Sequence, residues 1–215
     1  MKRPYIVINC AISSDGKIAS PSGKQIRISC EEDIKRMYQL RNDSDAVLVG
    51  INTIISDDPK LTVKDKYIKN PKQPIRIVLD ANCRTPPNSL VVNDVTKTMI
   101  FTGKKCEKKF ADNIEIIVCK TNKEGLIDLK NLLEILFKKG VRKLMVEGGG
   151  AVIFNFLKEG FVDDFFVYVG SMKIPGGKTP PFVVDNKIDI KNLNLKSIKK
   201  KDFGLGKIYH YRLIT

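Results

Sequence analysis

Residues 143–158, KLMVEGGGAVIFNFLK, constrain the chain more than any other stretch, because they pass from one periodicity to another through three adjacent glycines. Leu144, Met145 and Val146 form a short apolar run suited to a buried strand. From Ala151 onward, Val152, Phe154, Phe156 and Leu157 keep helical spacing as far as Gly160, which acts as the stop. The connecting turn, Glu147-Gly148-Gly149-Gly150, admits two readings. Glycines between a strand and a helix let backbone N–H groups approach a ligand, and the first helical turn adds unpaired donors and partial positive charge, which suits a phosphate. The same turn also serves as a tight β-to-α connection with nothing bound, since the spacing is not G-x-G-x-x-G.

The rest of the chain repeats the alternation. Residues 4–12 are rich in bulky and β-branched side chains and predict a strand, followed by the turn Ser13–Gly16 and a loop over 17–28. Ser29 and Glu32 have the capping-box spacing and predict a helix start, with Ile34, Met37, Tyr38 and Arg41 along one side. DAVLVG at 45–50 is a compact apolar strand, and 52–56 is one or two helical turns that place Thr53 and Asp57 on the same side. A polar, lysine-rich loop is expected over 60–73, strands at 75–79, 98–102 and 114–118, and a weak helix in the lysine-rich segment before the last of these. Leu129, Leu132, Leu133, Leu136 and Phe137 carry an amphipathic helix over 128–139, with Gly140 as its stop. A strand at 162–170, a proline and glycine loop at 174–182, and strands near 190–199 and 206–214 complete the reading. Alternation followed by successive strands predicts one α/β domain over 1–215, a mostly parallel central sheet flanked by helices with an antiparallel C-terminal hairpin. Ligands of such sheets bind beyond the carboxyl ends of the strands, which selects Ala11, the segment 50–57, the segment 80–84 and the segment 147–152.

Composition decides which chemistry those strand ends can host. A net charge of +14 on 215 residues favours anionic partners, and the densest basic run, Lys199–Lys201, is read as a solvated face rather than a nucleic-acid patch. The five cysteines are odd in number and contain no C-x-x-C pair, so neither a disulfide framework nor a zinc site is expected, and a reducing cytoplasm is the simpler context. No apolar run reaches the length of a membrane helix. The single histidine, His210, falls inside the last strand, which removes histidine-dependent triads and histidine-rich metal sites; no metal is expected. What remains is carboxylates, hydroxyls, amides and glycine backbones on a basic protein, an inventory that suits binding a phosphorylated nucleotide and letting a cofactor carry the reaction.

Four collinear segments then carry a resemblance: YIVINCAISSDGKIA (5–19), LVGINTIISDDPKLTVK (48–64), PIRIVLDANCRTP (74–86) and VEGGGAVIFNFLKEGFVDDFFVY (146–168). Together they resemble the riboflavin-pathway reductases that act on 2,5-diamino-6-ribosylamino-4(3H)-pyrimidinone 5′-phosphate, including the reductase half of the bifunctional deaminase–reductases. The resemblance implies a dihydrofolate-reductase-like fold, NADPH as cofactor with NADH possible, a homodimer, and a phosphorylated pyrimidine-riboside substrate, without nucleic acid or membrane. It places Ala11, Arg27, Thr53, Asp57, Ala81, Asn82, Cys83, Arg84, Gly149, Gly150, Ala151 and Val152 against NADPH, with Arg84 toward the 2′-phosphate. It places Gln25, Arg41, Leu61, Lys64 and Glu147 against the substrate, Arg41 and Lys64 being the cations for its 5′-phosphate. The implied reaction is hydride transfer to C1′ of the ribosyl group as its ring opens, with Glu147, Asp57 or water moving the protons. A pteridine or dihydrofolate reductase, a basic nucleic-acid-binding protein and a non-catalytic nucleotide-binding protein are the rival readings.

Overall fold

The computed structural model describes residues 1–18, 26–174 and 195–213. The chain divides into two compact units, one of Met1–Tyr5 and Gln39–Met145, the other of Ile6–Tyr38 and Val146–Thr215.

In the first unit β2 (Ala46–Gly50), β3 (Ile75–Leu79), β4 (Thr98–Thr102) and β5 (Ile114–Val118) pair in parallel, in the order β5-β4-β3-β2. All five residues of β2, an apolar run, and of β4, apolar between its terminal threonines, are buried, as expected of a parallel sheet covered on both faces. Helix α2 (Ile51–Asp57) follows β2, and α3 (Leu129–Lys138) follows β5. The amphipathic pattern over 128–139 does form a helix: the Asp128 carboxylate accepts from the Asn131 N–H at 2.7 Å, and Leu129, Leu132, Leu133 and Leu136 are buried. Each buried leucine contributes roughly 1.5–3 kcal/mol. At the start of β2, Asp45 ties in the chain that enters β6 (Lys143–Gly148), accepting from the backbone N–H groups of Arg142 and Lys143, both at 2.9 Å. Arg76 on β3 is 0% exposed and spends its guanidinium on Thr98, Leu90, Asn93 and Thr96.

In the second unit β1 (Tyr5–Ile12) pairs in parallel with β7 (Asp164–Val169). β9 (Gly206–Leu213) pairs antiparallel with β7 and with β8 (Leu195–Phe203), giving the antiparallel C-terminal strands. Helix α4 (Gly150–Lys158) leaves the end of β6 and buries Ile153, Phe156 and Leu157. Lys196 and Lys199–Lys201 on β8 are exposed, so the basic run is a solvated face, with Lys200 lying 5.2 Å from the Tyr209 ring centre. His210 is packed, its Nε2 2.6 Å from Asp164 Oδ1 and its ring stacked on Phe166.

Two expectations are corrected, and one expected strand is found with a later end. Helix α1 spans Glu31–Asn42, and the Ser29 hydroxyl donates to the Asp33 carboxylate at 2.5 Å instead of forming the capping box with Glu32. That carboxylate is buried and also accepts from Arg36, so it competes for the hydroxyl better than an exposed helix end does. The lysine-rich stretch 103–113 contains no helix, because it lacks an apolar stripe to bury, and its first N–H, that of Gly103, donates to Ala81 O at 3.0 Å. The C-terminal strand expected near 190–199 is described from Leu195 and continues to Phe203. The loop expected over 174–182 falls, beyond Ile174, outside the described residues.

Candidate functional site

The selected strand ends fall in both units, and each set has its own geometry. In the first unit the register pairs Gly50 with Leu79, so α2 and the 80–85 turn leave the sheet from adjacent positions on one edge. Thr53 and Asp57 occupy one side of α2 and are both half-buried. The exposed Arg84 donates from Nη2 to Asn52 Oδ1 at 2.8 Å, which joins the turn to the first turn of α2. Ala81, Asn82, Cys83 and Arg84 therefore stand beside the Thr53–Asp57 helix as one cluster.

The same unit brings the proposed substrate cations to one loop. Asp58 caps the C-terminal end of α2, with φ of 40°, and accepts from the Leu90 N–H through its side chain at 2.7 Å. Leu61 follows in the left-handed region at φ 53° and is 2% exposed, an anchored position in the loop together with buried Val63. Gln73 holds the next residues by a two-armed amide contact with the N–H and C=O of Val63, both at 2.8 Å. Arg41 donates from Nη1 to Thr62 O at 2.8 Å, so Arg41, Leu61 and the exposed Lys64 share one segment.

In the second unit Glu147 is half-buried near the end of β6. Gly148 has φ of 148°, which favours glycine, and its peptide bond to Gly149 is cis. Gly149 is the N-cap of α4 and makes no side-chain cap hydrogen bond, while Gly150, Ala151 and Val152 form the first helical turn. The Val152 N–H donates to Gly149 O at 3.0 Å, and the N–H groups ahead of it, at a helix N-terminus, suit an anion. Ala11 lies at the end of β1, half-buried. Arg27 is exposed and paired with Glu31 at 3.2 Å. Gln25 lies outside the described residues.

Two supports of the first cluster were not read from the sequence. Asp80 is 0% exposed, and its Oδ2 accepts from both the N–H and the hydroxyl of Thr85, each at 2.7 Å, closing the turn from inside. The aspartate–threonine spacing of five residues is visible in the sequence, but it signals a clamp only once the turn is known. The second support overturns an expectation: Cys83 is joined to Cys106 by a disulfide, with Cα atoms 5.6 Å apart. Counting cysteines failed because an odd total does not exclude one pair; Cys10, Cys30 and Cys119 remain as thiols. Burial pushes the Cys119 thiol up to about 11 and raises Cys10 further still.

The RibD C-terminal domain family model matches residues 4–206. A 2,5-diamino-6-ribosylamino-4(3H)-pyrimidinone 5′-phosphate reductase of Archaeoglobus fulgidus is 38% identical over 212 residues, covering 95% of this chain and 96% of the relative. The protein of that name from Methanothermobacter thermautotrophicus is 36% identical over 209 residues, with 95% and 94% covered. Among solved structures, a diaminohydroxyphosphoribosylaminopyrimidine deaminase/5-amino-6-(5-phosphoribosylamino)uracil reductase of Thermotoga maritima superposes with a TM-score of 0.83 at 22% identity, over 99% of this chain and 57% of that one. The riboflavin biosynthesis reductase of Saccharomyces cerevisiae gives a TM-score of 0.75 at 20% identity, over 99% and 90%. These likenesses place the chain in the dihydrofolate-reductase-like fold.

Proposed function

Because the chain belongs to the RibD C-terminal domain family, we propose that it reduces the ribosyl group of 2,5-diamino-6-ribosylamino-4(3H)-pyrimidinone 5′-phosphate to the ribitylamino product, in riboflavin biosynthesis. It is an oxidoreductase, and a nicotinamide cofactor supplies the hydride when bound. The observation that carries the reading is the extent of the likeness: relatives with this activity in their names match 95% of the chain at 36–38% identity.

The side chains fit such a cofactor. Arg84 is exposed at a strand end beside α2, where a guanidinium can take a 2′-phosphate by two parallel bonds, and this supports NADPH as the cofactor. Thr53 and Asp57 offer a hydroxyl and a carboxylate on the same helix side, suited to ribose or amide groups. The Gly149–Val152 turn offers backbone donors for the pyrophosphate. Arg41 and Lys64 serve the substrate's 5′-phosphate, with Leu61 on the same segment against the substrate. Glu147 moves the proton that ring opening requires, or Asp57 does so; positioning of the two reactants supplies about 7–11 kcal/mol of the acceleration. A homodimer and a cytoplasmic location belong to the same reading; among the described residues no helix is long and apolar enough to cross a membrane.

The test follows NADPH oxidation with the ribosylaminopyrimidinone phosphate and, separately, with dihydrofolate. Consumption with the first alone is expected. Consumption with dihydrofolate alone overturns the substrate, and consumption with neither overturns the enzyme.

A further inference from the structure

The turn that holds Arg84 is fastened on two sides. From beneath, buried Asp80 holds Thr85, and Arg84 reaches Asn52. From the other side the segment after β4 is attached at three points: Gly103 N–H to Ala81 O at 3.0 Å, Lys108 Nζ to Thr85 O at 2.9 Å, and the Cys83–Cys106 bridge. Only the last is covalent. Cys83 has φ of 57°, a left-handed conformation that a residue with a β-carbon disfavours, so the turn needs those fastenings to keep its shape.

The five cysteines differ in chemical access. Cys10 and Cys119 are buried, with thiols raised by that burial, and are poor nucleophiles. Cys30 is half-buried, donating to Phe203 O at 3.9 Å. Cys83 and Cys106 are both partly exposed, so a small reagent can reach their sulfurs.

We propose that Cys83 and Cys106 are a reversible redox-modification site, exchanging with a small disulfide or a dithiol–disulfide oxidoreductase, whose bridge fixes the adjoining turn for binding the adenosine-phosphate end of the cofactor. This rests on the cofactor reading given above. On closure, one cysteine thiolate attacks the reagent disulfide and displaces a thiolate, giving a mixed disulfide. The second cysteine thiolate then attacks the protein sulfur of that bond and releases the other half of the reagent. The two cysteines lose two protons and two electrons, and the reagent gains both as two thiols; a dithiol reverses the exchange. The site also reconciles a disulfide with a reducing compartment, where such bonds are transient and regulatory.

The experiment compares the full-length protein after glutathione disulfide and after dithiothreitol. Thiols counted on the denatured chain should be three and five respectively, given three free cysteines beside the bridge. The bridged form is expected to bind NADPH roughly tenfold tighter in a fluorescence titration, because the turn is ordered beforehand. Cys106→Ser should bind like the reduced form and ignore both reagents, whereas Cys30→Ser should keep the full response. Mass spectrometry of wild-type peptides alkylated before reduction locates the bridge even where a variant folds poorly. Five thiols under both treatments, or equal NADPH affinity in the two forms, overturns the proposal. A bridge that forms in a protein binding no NADPH in either state overturns the cofactor reading and, with it, the coupling proposed here.

Discussion

Replacing Arg76 by methionine tests how the first unit tolerates a fully buried cation. Its Nε donates to Thr98 Oγ1 at 2.8 Å; Nη1 donates to Leu90 O at 3.3 Å and Asn93 Oδ1 at 2.7 Å; Nη2 donates to Asn93 O at 2.7 Å and Thr96 O at 2.6 Å. Burial lowers the guanidinium to about 10, which leaves it charged at neutral pH. Removing one partner of a buried charge costs about 3–5 kcal/mol because a charge is left behind. Here the charge itself leaves, so the loss is that of neutral acceptors, about 1–3 kcal/mol for each one left unsatisfied. Three of the acceptors keep a second donor: Asn113 Nδ2 reaches Asn93 O at 2.8 Å and Thr96 O at 3.0 Å, and the Val95 N–H reaches Asn93 Oδ1 at 3.2 Å. Methionine also fills most of the vacated stem. Arg76→Met should therefore cost about 2–3 kcal/mol, a Tm loss of about 5–10 °C for a chain of this size. Asn113→Ala added to it removes the shared donors, and the pair should exceed the sum of the singles by about 1–2 kcal/mol. Urea denaturation with an unchanged slope measures all three variants. Additivity within about 0.5 kcal/mol would refute the sharing argument. A neutral Arg76→Met would show that apolar filling serves this site as well as the buried charge does.

Other outcomes follow from the same geometry. Glu147→Gln should lower kcat by roughly 10²-fold with NADPH affinity retained, read by steady-state kinetics and cofactor fluorescence, since proton transfer by a positioned side chain contributes about that much; an unchanged kcat removes Glu147 from the chemistry. Arg84→Ala should raise the KM for NADPH about tenfold or more and leave that for NADH nearly unmoved, as expected when a charge-assisted phosphate bond worth about 1.5–3 kcal/mol is lost. In acid the fold should weaken through Asp45 and Glu115. Burial alone would raise Asp45, but Lys72 and the N–H groups of Arg142 and Lys143 outweigh it and hold the carboxyl below 3.8, while Lys139 and Lys97 hold Glu115 below 4.5. Both folded values lie below the unfolded ones, so their contribution is complete above those ordinary values and disappears as pH falls through the folded ones; urea midpoints between about pH 6 and 3 record it, and Asp45→Asn should flatten the slope. Gly170→Ala should cost about 1–3 kcal/mol by overpacking, because its Cβ would stand 2.8 Å from Ile28 Cγ2 and 2.9 Å from Ile28 O.

What the sequence made legible is what local periodicity and the strand-end rule encode. β2 reads as a buried strand because AVLVG is an uninterrupted apolar run, and α3 reads as a helix because its leucines repeat at three and four residues. The strand-end rule then selects Thr53, Asp57 and the 81–84 turn without any structure, and the register of Gly50 against Leu79 does set them side by side. The Ser29 cap failed because its hydroxyl had a stronger acceptor in Asp33, whose burial depends on packing that no window of sequence contains.

The supports of the turn were hidden for a related reason: each joins positions whose meaning depends on the other. Asp80 looks like any turn aspartate until Thr85 is seen to return to it, and Cys83 looks like one of five thiols until the segment after β4 brings Cys106 within 5.6 Å between Cα atoms. A residue that contacts a ligand is found by where its strand ends, whereas one that shapes the contacting turn is found only by what folds back onto it. In the proposed cofactor site Arg84 is of the first kind, and Asp80 and Cys106 are of the second. Substitutions at the two kinds should therefore separate in kinetics. Arg84→Ala removes the proposed phosphate contact and should act on the phosphorylated cofactor alone. Cys106→Ser leaves every contact residue in place and should act on affinity only through the order of the turn, so its effect should disappear when the wild-type protein is already reduced.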